Sequence, residues 1–175
     1  MAMRTKVLVF VGLFFVSMLG IASELVFKGG YDFNTYLSLK AKVFDYGQNI
    51  VSIEIDTKGQ GKNIQNKQID KDTFKVFAKG TLPKDAGIVL DDKTKSLGTF
   101  EVEREIENIF VNDKGNIVIN LKYGKDVAGA NTLSYVTGDV SRNVLMDLEY
   151  RVEQKKEIKG YKTGFYRQGK IVDEE

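Results

Sequence analysis

The stretch "NVLMDLEYRVEQKKEI", Asn143 to Ile158, decides the fold. From Val144 to Val152 it has a period of two. Val144, Met146, Leu148, Tyr150 and Val152 share one phase, and Asp147, Glu149 and Arg151 share the other. Successive side chains of a strand point to opposite faces, so this stretch has one dry face and one wet face. A dry strand face needs a second apolar layer to cover it. The stretch therefore predicts a strand of a two-layered β-sheet protein, with those five apolar residues pointing inward.

The same rhythm recurs upstream. Val51, Ile53 and Ile55 alternate with Ser52, Glu54 and Asp56, and Phe74, Val76 and Ala78 share a phase. In "VNDKGNIVINLKY" (111–123), Asn112, Asp113, Gly115 and Asn116 suit a tight turn, and Ile117, Ile119 and Leu121 alternate beyond it, which predicts a hairpin. "TLSYV" (132–136) reads as a short strand. Between Phe100 and Val111 the pattern is broken. Phe100, Val102, Ile106 and Phe110 oppose Glu101, Glu103, Glu105 and Glu107, yet Arg104 and Asn108 interrupt the apolar phase. A bulge or a change of strand near Glu107 reconciles the two halves. Polar connections at 57–68, at Asp70–Asp72, around Pro83 and at Asp91–Ser96 separate the runs. About seven strands result, at intervals typical of an antiparallel β-sandwich, with no helical pattern after the N-terminus.

The 175 residues are 42% hydrophobic and 29% charged, which fits one ordinary globular domain. Arg4 and Lys6 precede an apolar run from Val7 to Leu19, and Gly20, Ala22 and Ser23 follow. This is the layout of a helical signal peptide cleaved after Ala22, an uncleaved anchor being the alternative. The run is shorter than the roughly 20 apolar residues that span hydrocarbon. Residues 1–22 hold two of the 26 basic residues and no acid, so removing them leaves 24 bases against 24 acids. That balance argues against a nucleic-acid surface. Export to a periplasm or the cell exterior is expected, with membrane contact only through the signal segment.

The sequence has no histidine and no cysteine. It can build no Ser-His-Asp, Cys-His or histidine–metal site, and no G-x-S-x-G elbow occurs. No catalytic residue, cofactor or metal ligand is expected. A glycosidase-like pair of Asp91 with a glutamate of the 101–107 row needs a cleft and a raised pKa, which sequence does not show. "NDKGN" and "DDKTK" lack a full calcium ligand set. Aromatics offer a binding reading: Tyr161, Phe165, Tyr166 and Arg167 in "KGYKTGFYRQGK" could stack on a sugar or dock a partner, against the alternative of a final strand completing the sheet.

Four segments together resemble a known module. They are "FDYGQNIVSIEID" (44–56), "IDKDTFKVFAKG" (69–80), "IENIFVNDKGN" (106–116) and "GANTLSYVTGDVSRNVLMDLEYRVEQKKEI" (129–158). Their order and spacing resemble the immunoglobulin-like N-terminal domain that precedes the α/β-hydrolase domain of certain secreted bacterial esterases. The resemblance implies an all-β, Ig-like sandwich without an active site, beside a neighbour that carries the catalytic triad. No position of this sequence matches a residue of that triad, so no catalytic position carries over.

The expected organisation is a signal peptide at 1–22, an Ig-like sandwich at 23–160, and a C-terminal strand or linker tail at 161–175. The expected role is an exported, non-catalytic accessory module contacting a protein partner, either an α/β-hydrolase esterase or a second copy. Two alternatives stand beside it. One is the front part of a split or truncated carboxylesterase, and the other is a carbohydrate-binding or adhesive surface module.

Overall fold

The apolar runs become strands wherever Gly, Asn or Asp clusters bound them. The computed structural model describes residues 36–57, 64–139, 141–158 and 164–173. The expected signal peptide lies outside the described residues. Eleven strands follow in chain order: β1 (Tyr36–Phe44), β2 (Gly47–Ile55), β3 (Phe74–Thr81), β4 (Lys95–Leu97), β5 (Phe100–Arg104), β6 (Ile106–Val111), β7 (Ile117–Leu121), β8 (Leu133–Thr137), β9 (Arg142–Leu145), β10 (Asp147–Gln154) and β11 (Gly164–Asp173). The excess over seven has a physical origin. Two long runs are each cut in two, at Glu105 and at Met146, the short β4 carries too little apolar pattern to read in advance, and β1 is a further strand that the sequence reading does not name.

Eight strands form one sheet in the order β5-β3-β10-β11-β1-β2-β7-β6, and β4-β8-β9 form a second, smaller one. Every pairing is antiparallel except β1 with β11. β5 and β6 are separated only by Glu105, yet they occupy opposite edges of the large sheet. The sheet therefore folds over on itself to bring its edges together. Lys122 N–H donates to the Glu105 carbonyl at 2.9 Å, which carries the β6–β7 ladder up to the residue that joins β6 to β5. The pairing of β6 with β7 also slips between Ile106 and Asn108, so the expected irregularity near Glu107 is present.

The two layers enclose a core built from Leu37, Leu39 and Ala41 of β1, Phe74, Val76 and Ala78 of β3, Ile117, Ile119 and Leu121 of β7, and Tyr150 and Val152 of β10. Each large apolar side chain so buried contributes roughly 1.5–3 kcal/mol. In β2 the simple alternation needs a correction. The β1–β2 register shifts between Lys40 and Ala41, leaving Val51 without a partner, so Ile50 as well as Ile53 and Ile55 reaches the core.

The opening stretch is also two elements. Met146, Tyr150 and Val152 are buried as expected, and Leu148 packs half-buried against the core. Val144 sits in β9 of the smaller sheet and is only partly buried. Gln154 continues the inward phase and is buried, a polar residue at an apolar position. On the wet face Arg151 lies over the Phe77 ring of its cross-strand partner, 4.5 Å from the centroid.

The β6–β7 hairpin closes as its sequence predicts. Gly115 takes φ +84°, and Asn112 Oδ1 accepts from the backbone of Lys114 and Asn116. Both asparagines donate to Glu54 of β2, Asn116 at 2.7 Å and Asn112 at 3.1 Å. Burial raises the Glu54 pKa, but these bonds and Lys40 outweigh it and hold the carboxyl below its usual range. A carboxyl depressed by folding adds stability above its unfolded pKa and loses it as pH falls through the folded value. Urea midpoints are therefore expected to fall more steeply in the wild type than in Glu54→Gln once pH drops below the ordinary glutamate value of about 4.3. Superimposable pH profiles would show that this contact does not stabilise the hairpin.

Candidate interaction surface

Arg104 ends β5 and is 2% exposed. The interruption of the apolar phase noted in the sequence is thus a buried guanidinium. It donates to the carbonyls of Gly129 (2.5 Å), Lys122 (2.8 Å) and Ile50 (3.2 Å), and to the Tyr150 hydroxyl (2.5 Å). The Tyr150 hydroxyl donates in turn to Gly129 O at 2.9 Å. Among the described residues no carboxylate pairs with Arg104. Burial lowers the Arg104 pKa, and burial pushes the Tyr150 phenol up to about 12, so the phenol stays neutral.

The carbonyls that Arg104 binds at Lys122 and Gly129 lie at the two ends of the loop joining β7 to β8. Asn49 holds the same loop from the other side, accepting from Gly124 N–H at 3.0 Å and donating to Asn131 Oδ1 at 2.8 Å. Gly129 takes φ +76°, and a Cβ there would come within 2.6 Å of Val102 Cγ2. A buried polar network thus fixes a surface loop.

That loop carries Tyr123 to the tip of the β1–β2 hairpin. Phe44 stacks between Tyr46 (centroids 5.1 Å apart, planes 3° apart) and Tyr123 (5.2 Å, 20°). Lys42 Nζ lies 5.7 Å from the Phe44 centroid. Tyr46 and Tyr123 remain exposed, and Val43 beside them is 70% exposed.

A second apolar group lies close by. Thr132 N–H donates to the Gln48 carbonyl, so β8 starts beside the hairpin and carries the smaller sheet at the same end of the sandwich. The register pairs Leu97 with Tyr135 and Leu133 with Leu145 on one face of that sheet. Leu97, Tyr135 and Leu145 are exposed, as are Val89 and Leu90 in the connection leading to β4. The opposite face turns Ser134 and Val136 inward, with Ser134 Oγ 2.6 Å from Ser96 Oγ.

The residues singled out from sequence fall elsewhere. Tyr161 lies outside the described residues. The backbones of Phe165, Tyr166 and Arg167 are in β11, opposite Glu153, Val152 and Arg151, and Arg167 also pairs with Tyr36 of β1. The exposed rings at the hairpin tip were missed. Their signal is the spacing "FDYG" (44–47), which a reading of 42–56 as one strand passes over and which the structure shows to be a hairpin turn.

The carboxylates considered for catalysis serve local roles. Asp91 Oδ1 accepts from the backbones of Thr94 (2.6 Å) and Lys93 (2.9 Å), which holds its pKa below the usual range, opposite to what a general acid needs. Glu101, Glu103 and Glu105 pair at the surface with Lys79 (3.5 Å), Lys75 (3.1 Å) and Lys122 (2.9 Å). An open, mostly polar groove of about 350 Å³ runs between Lys71, Asp72, Phe74, Lys75, Glu103, Lys155 and Lys156. Lys156 is engaged there with Asp70 at 2.9 Å. Among the described residues no group of three or more acids is placed to hold a metal ion.

Comparison with known proteins agrees with this architecture. A search of curated proteins returned no match. Among solved structures, one described as the crystal structure of a thermostable esterase aligns with a TM-score of 0.55 at 17% identity, over 79% of this chain and 35% of that one. The chain thus spans about a third of that esterase, and the likeness is one of fold. The sequence model of the esterase Ig-like N-terminal domain matches residues 38–167. That match takes in strands of both sheets and the Arg104 network, and the chain belongs to the family of esterase Ig-like N-terminal domains.

Proposed function

We propose that this domain is an exported accessory module of an esterase that acts by protein–protein contact and performs no catalysis itself. One observation carries the reading. Asp91, Glu101, Glu103 and Glu105, carboxylates considered for catalysis from the sequence, are held in a turn and in local ion pairs, whereas exposed aromatic and aliphatic side chains gather at one end. Catalysis needs convergent, tuned polar groups, whereas contact needs apolar anchors on a firm support. Family membership supplies the kind of enzyme it accompanies. The purified chain is expected to hydrolyse p-nitrophenyl acetate no faster than buffer. Saturable turnover that survives repurification would replace the accessory role with an enzymatic one.

The stacked rings of Phe44, Tyr46 and Tyr123 also favour a second reading, because flat aromatic faces suit sugar rings. A glycan array tests it, and silence across the array counts against a carbohydrate-binding role.

A further inference from the structure

We propose that the apolar end of the sandwich is the face on which the catalytic domain of an esterase docks, anchored by Tyr46 and Tyr123 on one side and by Leu97, Tyr135 and Leu145 on the other. The inference rests on the accessory reading above and adds to it a location and a direction.

Three observations support it. First, exposed Val43, Tyr46, Leu97, Tyr123, Tyr135 and Leu145 are brought together at this end, whereas exposed Phe110 lies on β6 away from it. Contiguous apolar patches rimmed by polar residues mark interaction surfaces, and aromatic anchors dominate their energetics. Second, the end is pre-organised. Arg104 and Asn49 fix the loop that carries Tyr123, and the stack fixes Phe44 and Tyr46, so docking orders few groups. Third, the strand directions select the occupant. β11 runs parallel to β1, and Asp173 stands opposite Ala41, so a chain leaving β11 emerges beside Val43 and Phe44. The family domain is N-terminal in its esterases, so there the rest of the enzyme follows from the last strand and comes to this end. The opposite end presents the Lys71–Lys156 groove and its charged groups.

The test fuses the full chain, through its C-terminus, to the catalytic part of a two-domain esterase of this family. The donor is one whose catalytic part still turns over p-nitrophenyl acetate after its own Ig-like domain is removed. Hydrogen exchange is then compared between the active fusion and the free chain. Roughly tenfold slower exchange is expected in segments 42–48, 121–128 and 133–145, with 70–75 and 112–116 unchanged. The triple variant Tyr46→Ser, Tyr135→Ser, Leu145→Ser is expected to melt like the parent as a free chain and to lose that protection in the fusion. Protection confined to 70–75 and 155–158 would overturn the docking face and leave the esterase association standing. No protection anywhere in an active fusion would overturn both. Protection of the aromatic end in the free chain by soluble xylan, with none in the fusion, would assign the face to carbohydrate and overturn the proposal.

Discussion

Arg104→Met is expected to lose about 3 kcal/mol of stability in urea unfolding at neutral pH. Methionine keeps much of the apolar stem but donates nothing, so the carbonyls of Ile50, Lys122 and Gly129 and the Tyr150 hydroxyl lose their charged donor together. A hydrogen bond to a charged group contributes roughly 1.5–3 kcal/mol, and relief from burying the guanidinium offsets part of the sum. Tyr150→Phe removes one hydroxyl from the same network and is expected to cost about 1–2 kcal/mol. The two side chains share Gly129 O, so the double variant should lose less than the sum of the single losses. The loop between β7 and β8 should also become the first site of proteolysis in Arg104→Met. A variant as stable as the parent, with that loop still resistant, would mean that sheet pairing alone holds the seam.

Val152→Asp is expected to abolish the folded state. Val152 is fully buried at the centre of β10, between Val76 of β3 and Tyr166 of β11 in the register. An unpaired carboxylate there costs several kcal/mol, comparable to the whole stability of a domain of this size. Leu148→Asp should be milder, because Leu148 is only half-buried where β10 begins. Arg151→Glu should be milder still, at roughly 0.5–1 kcal/mol for the lost stacking on Phe77. Circular dichroism melts rank the three. Equal losses for Val152→Asp and Arg151→Glu would show that β10 does not separate a dry face from a wet one.

The strands most legible in the sequence were those with one buried face. β3 and β10 alternate because one side meets the core and the other is more open to water, and β7 keeps the same inward phase although Val118 on its other side is buried as well. β2 was less so, because the unpaired Val51 changes its phase, and a bulge leaves no compositional mark. Arg104 looked like a fault in the apolar phase. Nothing local to "FEVER" says that a guanidinium there will find three carbonyls and a phenol, since those partners lie 18 to 54 residues away. The aromatic end was illegible for the same reason. Phe44 and Tyr46 are neighbours in sequence, but Tyr123 joins them only once β7 has paired with β2.

β11 has a consequence for how the chain must assemble. The strand latest in sequence among those described is not an edge but an interior slat, wedged between β10 and β1. Until it arrives, both of those strands present raw hydrogen-bonding rims in mid-sheet, a ready template for the wrong partner. The sheet cannot be completed progressively from its front, and closure waits for the latest of the described strands. A nascent chain halted before Gly164 is thus two unfinished half-sheets, the form in which this domain is most exposed to aggregation.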